Sequence, residues 1–144
     1  LLPAKLYTSR ELSADEVDSI RYGMKIAKEL ARLDIGQTVV VKDRSVMALE
    51  AIEGSDKAIL RGGKLGNGNV IICKVAKPSQ DKRFDIPTIG LDTVNSAISA
   101  GGVVIAIEAN TTIVLDQASL ISKCDLHNIS LVAVNIDNEN VVSI

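Results

Sequence analysis

At 144 residues, with 47% of them hydrophobic, the chain has the size and apolar content of one compact domain that buries its own core. Sixteen basic and eighteen acidic residues are mixed along the sequence and leave a net charge of −2, which removes the electrostatic basis for nucleic-acid binding. One Phe, two Tyr and no Trp offer no stacking platform for bases or sugars, so the core must be aliphatic.

The opening Leu1-Leu2-Pro3 carries no Met, which fits a piece of a longer protein as well as it fits processing. Ser13-Ala14-Asp15-Glu16 has the form of a capping box. Val17, Ile20, Met24, Ala27 and Ala31 follow at helical spacing to about Leu33. The runs Thr38 to Lys42 and Ser45 to Ile52 are apolar and β-branched, and Asp43-Arg44 between them predicts a hairpin with Glu50 and Glu53 near the end of its second strand. A helix over Ser55 to Leu65, a turn at Gly66-Asn67-Gly68-Asn69 and a strand over Val70 to Val75 come next.

Past Gly90, Asp92 is expected to cap a helix that runs to about Ala100 and stops at Gly101-Gly102. Val103 to Ile107 reads as a buried strand with Glu108 at its C-terminal end. Thr112 to Leu115, a helix from Gln117 to Leu126 and a strand from Ser130 to Val134 complete the pattern. The expected fold is α/β, a mixed β-sheet with a β-hairpin and helices packed on its faces.

Cys73 and Cys124 form no CxxC or other ligand spacing and sit in apolar or helical contexts, which points to reduced thiols and a cytoplasmic compartment. The longest strongly apolar run, Gly101 to Ile107, is too short to cross a bilayer, and no basic-plus-apolar leader opens the sequence. Arg61-Gly62-Gly63-Lys64-Leu65-Gly66-Asn67-Gly68 fits neither GxxxxGK[ST] nor GxGxxG and precedes a strand, so a helix end and turn is the better reading than a phosphate loop. His127 stands alone, which rules out a multi-histidine metal site within the chain, and no GxSxG elbow or nearby Cys–His pair supports a covalent nucleophile.

Chemistry concentrates in Lys74 to Gly90, KVAKPSQDKRFDIPTIG. Lys74, Lys77, Lys82 and Arg83 can contact phosphate, Gln80 can donate or accept, and Asp81 and Asp85 can bind a cation or activate water. Pro78 and Pro87 stiffen the segment. Glu50, Glu53, Asp85 and Glu108 all fall at strand ends or just beyond, where α/β sheets form ligand crevices. A solvated carboxylate is the ordinary state of any one of them, and the same set would also serve as a salt-bridge network that fixes a loop.

Three segments in this order, DIGQTVVVKDRSVMALEAIEGSD, KVAKPSQDKRFDIPTIG and GGVVIAIEANTTIVLD, resemble the C-terminal domain of the LpxI family of UDP-2,3-diacylglucosamine pyrophosphatases of lipid A biosynthesis. The resemblance covers roughly Ser13 to Val134. It implies a Rossmann-like N-terminal domain ahead of this one, with residues 1–12 as the linker, residues 13–144 as the domain, and substrate between the two. It also implies Mg²⁺-supported hydrolysis of a lipid-linked nucleotide sugar, UDP-2,3-diacylglucosamine, to UMP and 2,3-diacylglucosamine 1-phosphate.

On the DxPTxG element the resemblance makes Asp85 the catalytic residue. It assigns Lys74, Lys77, Gln80, Arg83, Thr88 and Glu50 to substrate, and Asp85, Asp81 and Glu53 to metal, with Asp56 on the same EAxEGxD element as Glu50 and Glu53. Asn110 stands where the family commonly has glycine, and Asn tolerates the left-handed geometry that such a turn needs. A lipid substrate implies a cytoplasmic protein peripheral to the inner membrane, and apolar surface left by an absent neighbour would favour a homo-oligomer. The alternative is a non-catalytic module that holds a phosphorylated ligand or a second subunit.

Overall fold

The computed structural model describes residues 1–77 and 86–144. Strand β1 (Lys5–Leu6) leads to helix α1 (Ala14–Arg32). The capping box forms as the sequence predicts: Ser13 Oγ accepts from Glu16 N–H at 3.1 Å and Ser13 N–H donates to Glu16 Oε1 at 2.9 Å. Ile20, Gly23, Met24, Ala27, Leu30 and Ala31 make the buried stripe of this helix.

The hairpin follows as β2 (Thr38–Lys42) and β3 (Ser45–Leu49). Asp43 and Arg44 take φ of 50° and 56°, the paired left-handed geometry of a tight hairpin turn that matches strand twist. The second strand stops at Leu49, short of the expected Ile52, with one more rung beyond it, Glu50 N–H donating to Thr38 O at 2.9 Å.

Helix α2 (Ser55–Gly66) ends on Asn67 at φ 58° and feeds β4 (Val70–Lys74). Gly62 and Gly63 lie in the closing turns of α2, and the stretch runs on into the helix end and turn that the sequence predicts. A Cβ on Gly62 would meet Val40 Cβ at 2.5 Å, and one on Gly63 would meet the Ala100 Cα at 2.5 Å. The glycine-rich stretch therefore lets a helix approach a strand and a second helix closely.

After β5 (Thr88–Ile89) comes α3 (Leu91–Ala100), whose cap is Gly90; Asp92 sits in the first turn instead of capping it. Then follow β6 (Gly102–Glu108), β7 (Ile113–Val114), α4 (Gln117–Leu126), β8 (Ser130–Asp137) and β9 (Asn140–Ser143). β1, β5 and β9 are additions to the sequence-based expectation.

The main sheet runs β1-β8-β6-β4-β2-β3, with β9 also on β8, while β5 and β7 form a separate parallel pair. β4, β6 and β8 are mutually parallel, and the other neighbours of the main sheet are antiparallel. The mixed sheet expected from the sequence is present. Side chains alternate between two cores: Val40, Ile72, Ile105 and Leu131 pack with Ile59, Val94 and Leu120 of α2, α3 and α4. Val39, Val41, Ile71, Val104 and Val132 pack with Ile20, Met24 and Ala27 of α1. This makes a three-layer α/β/α sandwich.

Both thiols are free and buried; burial pushes Cys73 up to about 12 and Cys124 to about 11, which keeps them protonated and inert. Among the described residues no helix is long and apolar enough to cross a membrane.

Candidate functional site at the strand ends

The parallel strands β4 and β6 finish side by side, with Lys74 opposite Ile107 and Glu108 just beyond. The antiparallel hairpin delivers its open end to the same edge, since Thr38 pairs with Lys74 and Val39 with Leu49. Helix α2 starts there too, tied by a 2.8 Å bond between the Thr38 and Ser55 hydroxyls. Lys74 Nζ donates to Thr88 O at 3.3 Å and so brings β5 over this edge. Open α/β sheets offer their ligand crevice at these strand ends.

Lys74 is the electrostatic centre of the arrangement. Its ammonium is largely withdrawn from solvent, which lowers its pKa, while the nearby Glu50 and Asp56 carboxylates pull the other way. Glu50 is oriented by Gln37, whose N–H donates to Glu50 Oε1 at 2.9 Å. Asp56 accepts from the Ser96 hydroxyl at 3.0 Å, which links α2 to α3. The strand-end site thus sets a largely withdrawn cation near two carboxylates that other groups hold in place.

The helix starts sharpen the picture. α1 begins at the opposite end of the sheet with a complete capping box, but α2, α3 and α4 have Gly54, Gly90 and Asp116 as N-caps and make no side-chain cap bond. α3 and α4 each start directly after one strand of the parallel β5–β7 pair, and α2 starts beside Thr38, so these helices present first-turn N–H groups at the edge that holds Lys74. Such N–H groups, with the helix dipole behind them, favour an anion.

Of the residues singled out in the sequence, Glu50, Lys74 and Thr88 come together here. Lys77 follows from β4 and pairs with Asp34 at 2.9 Å. Glu53 lies in the turn before α2 and is gripped by Arg61, whose Nε stands 3.2 Å from Glu53 Oε2 and whose second nitrogen also bonds its carboxylate. That guanidinium holds the Glu53 carboxyl below its ordinary range. Gln80, Asp81, Arg83 and Asp85, with Lys82, lie outside the described residues.

Sequence reasoning did not find the roles of Gln37, Lys28, Ser55 and Ser96, which join the site through contacts far apart in the chain; Glu108 it placed correctly at the end of a strand. Among the described residues no group of three or more His, Cys, Asp or Glu side chains is disposed to hold a metal. A cavity of about 350 Å³ opens at the other end of the sheet, lined by Arg10, Ser13, Lys42, Asp43 and Asn69, and shares none of the residues above.

A family model of the LpxI C-terminal domain matches residues 3–132. The chain is 34% identical over 119 residues to the UDP-2,3-diacylglucosamine pyrophosphatase LpxI of Caulobacter vibrioides, an alignment covering 77% of this chain and 42% of that protein. It therefore spans less than half the length of this relative. With the match running from before α1 into β8, across the whole strand-end site, the chain belongs to the LpxI C-terminal domain family.

Proposed function

We propose that this domain forms the pyrophosphate-binding half of a UDP-2,3-diacylglucosamine pyrophosphatase that releases UMP and 2,3-diacylglucosamine 1-phosphate. The observation that carries the reading is Lys74, a desolvated cation beside three helix starts that lack side-chain caps. A desolvated ammonium and helix starts without side-chain caps are matched by phosphate oxygens. Lys74 binds and neutralises the anhydride oxygens, and the first turns of α2 and α3 orient them. Asp85, on the element that the resemblance makes catalytic, holds or orients the attacking water. A P–O bond to that water then forms as the anhydride P–O bond breaks.

Mg²⁺ belongs to the same proposal, and when bound it would neutralise charge on the pyrophosphate. The proposed ligands Asp81 and Asp85 lie outside the described residues, and Glu53 would join them only by releasing Arg61. The remaining partners follow from the substrate: a further domain that closes the crevice, and contact with the inner membrane from the cytoplasm. Leu91, Leu115 and Ile86 expose apolar surface near the starts of α3 and α4, which suits acyl chains or a covering domain.

The deciding experiment is product formation from UDP-2,3-diacylglucosamine with Mg²⁺ by the full-length protein, wild type beside Asp85→Ala. UMP and the lipid phosphate from wild type alone support the reading. Substrate binding by both proteins with product from neither would leave a ligand-holding module instead.

A further inference from the structure

One backbone residue is gripped at both of its polar groups by a part-buried ion pair that the proposed reaction does not use. Lys28, from the last turns of α1, and Glu108, at the end of β6, pair at 2.9 Å with side chains only 16% and 12% exposed. Glu108 Oε1 also accepts the Ala76 N–H at 3.2 Å, and Lys28 Nζ also donates to the Ala76 carbonyl at 3.1 Å. The three groups close a ring of hydrogen bonds around a residue that belongs to no strand or helix.

Glu108 is itself anchored. The Thr111 and Thr112 hydroxyls donate to its carbonyl at 3.1 and 3.0 Å, and the next residue, Ala109, donates its N–H to Val134 O at 2.8 Å. The residue before Ala76 is held in the same manner: Val75 N–H donates to Gln37 O at 3.0 Å, and Gln37 Nε2 donates to Val75 O at 3.1 Å. Beyond Ala76, Lys77 reaches Asp34. The chain leaving β4 is therefore fixed for successive residues by groups from α1, the α1–β2 connection and β6.

A buried ion pair contributes little net stability against an apolar pair of the same volume. An N–H and a C=O beyond a strand end are ordinarily satisfied by water. What this ring accomplishes is direction, since it fixes the point and angle at which the chain departs toward Lys77 and the segment carrying Asp85. We propose that Lys28 and Glu108 are positioning residues that hold Ala76 and so fix where the chain leaves β4, two residues beyond Lys74. The inference rests on the function proposed above for its catalytic consequence, and on the ring alone for its mechanical one.

The test uses the full-length protein and the double variant Lys28→Met/Glu108→Leu, which removes both charges together and strands neither. Amide hydrogen exchange at Ala76 should accelerate at least about 10-fold, while Val75, held by Gln37, keeps its wild-type rate and reports that the sheet is intact. Turnover of UDP-2,3-diacylglucosamine should fall about 10- to 100-fold in kcat with KM little changed, the loss expected when a catalytic segment is displaced by about 1 Å.

Lys28→Arg, which keeps charge and donors, should restore most of the turnover. If the double variant does not fold, Glu108→Gln takes its place: it keeps an acceptor for Ala76, weakens the Lys28 link, and should give a smaller fall in kcat of about 3- to 10-fold. Unchanged exchange at Ala76, or wild-type kcat despite faster exchange, overturns the proposal. Should the wild-type protein prove to have no pyrophosphatase activity, the proposed function fails, and exchange at Ala76 still decides the ring by itself.

Discussion

Lys74→Met separates a binding role from a structural one, because the two make opposite demands on the same side chain. Met keeps the unbranched apolar stem and removes the ammonium. The bond lost to the fold is one 3.3 Å contact to the Thr88 carbonyl, at the long end of the range and worth about 0.5 kcal/mol. Thr88 is exposed, so water takes that carbonyl. Glu50 keeps its bond from Gln37 and Asp56 its bond from Ser96, so neither carboxylate is left without a donor.

Against these losses stands the relief of holding an ammonium away from water. The net change in unfolding free energy should stay within about 1 kcal/mol of zero, on either side. A charge-assisted bond to phosphate is worth about 1.5–3 kcal/mol, so UDP affinity should fall about 10- to 150-fold. Urea unfolding and calorimetric titration of the full-length protein with UDP read the two quantities. A stability loss above about 2 kcal/mol with unchanged UDP affinity would refute the argument and make Lys74 a tie between β4 and β5.

Burial also sets the pH response of that affinity. The ammonium is the binding form and its pKa in the folded protein is lowered, so affinity is full below that pKa and declines as pH rises through it, before an exposed lysine would titrate. In the same window stability should rise with pH, since the unfolded chain binds the extra proton; an affinity that declines only in the range of exposed lysines contradicts the desolvation argument. Gly63→Ala should cost about 2 kcal/mol, from overpacking of about 3 less about 1 gained in helix propensity, because the added Cβ would meet the Ala100 backbone, which has no rotamer to give way. For a domain of this size that is a fall of roughly 8 °C in Tm, and a variant melting with wild type would show that α2 and α3 can part freely.

How much was legible follows from the range over which each signal acts. Helix α1 was readable because its cap and apolar stripe are local, and the hairpin because Asp43-Arg44 bridges two β-branched runs. β5 and β1 are two residues long and exist only through partners far along the chain, Val114 and Ala133 among them, so no periodicity could announce them. Asp92 looked like a cap by residue type, but Gly90 takes the position because the chain must turn from β5 directly into the helix. Within the site, Glu50 was visible as a carboxylate at a strand end and Lys74 as a cation opening the charged segment, whereas Thr88 entered only through the family resemblance. Asp56 stood on the same element as Glu50, but its tie to Ser96, forty positions away, could not be read from spacing.

The close seating of Gly63 on Ala100 and the Asp56–Ser96 bond join α2 and α3 at both ends of their contact. The two helices therefore move as one body, and the gap between their starts is a fixed calliper. An anion that bridges both starts meets a span set before it arrives and forfeits little ordering entropy on binding. Packing deep in the sandwich thus sets the relative placement of two helix starts at its rim.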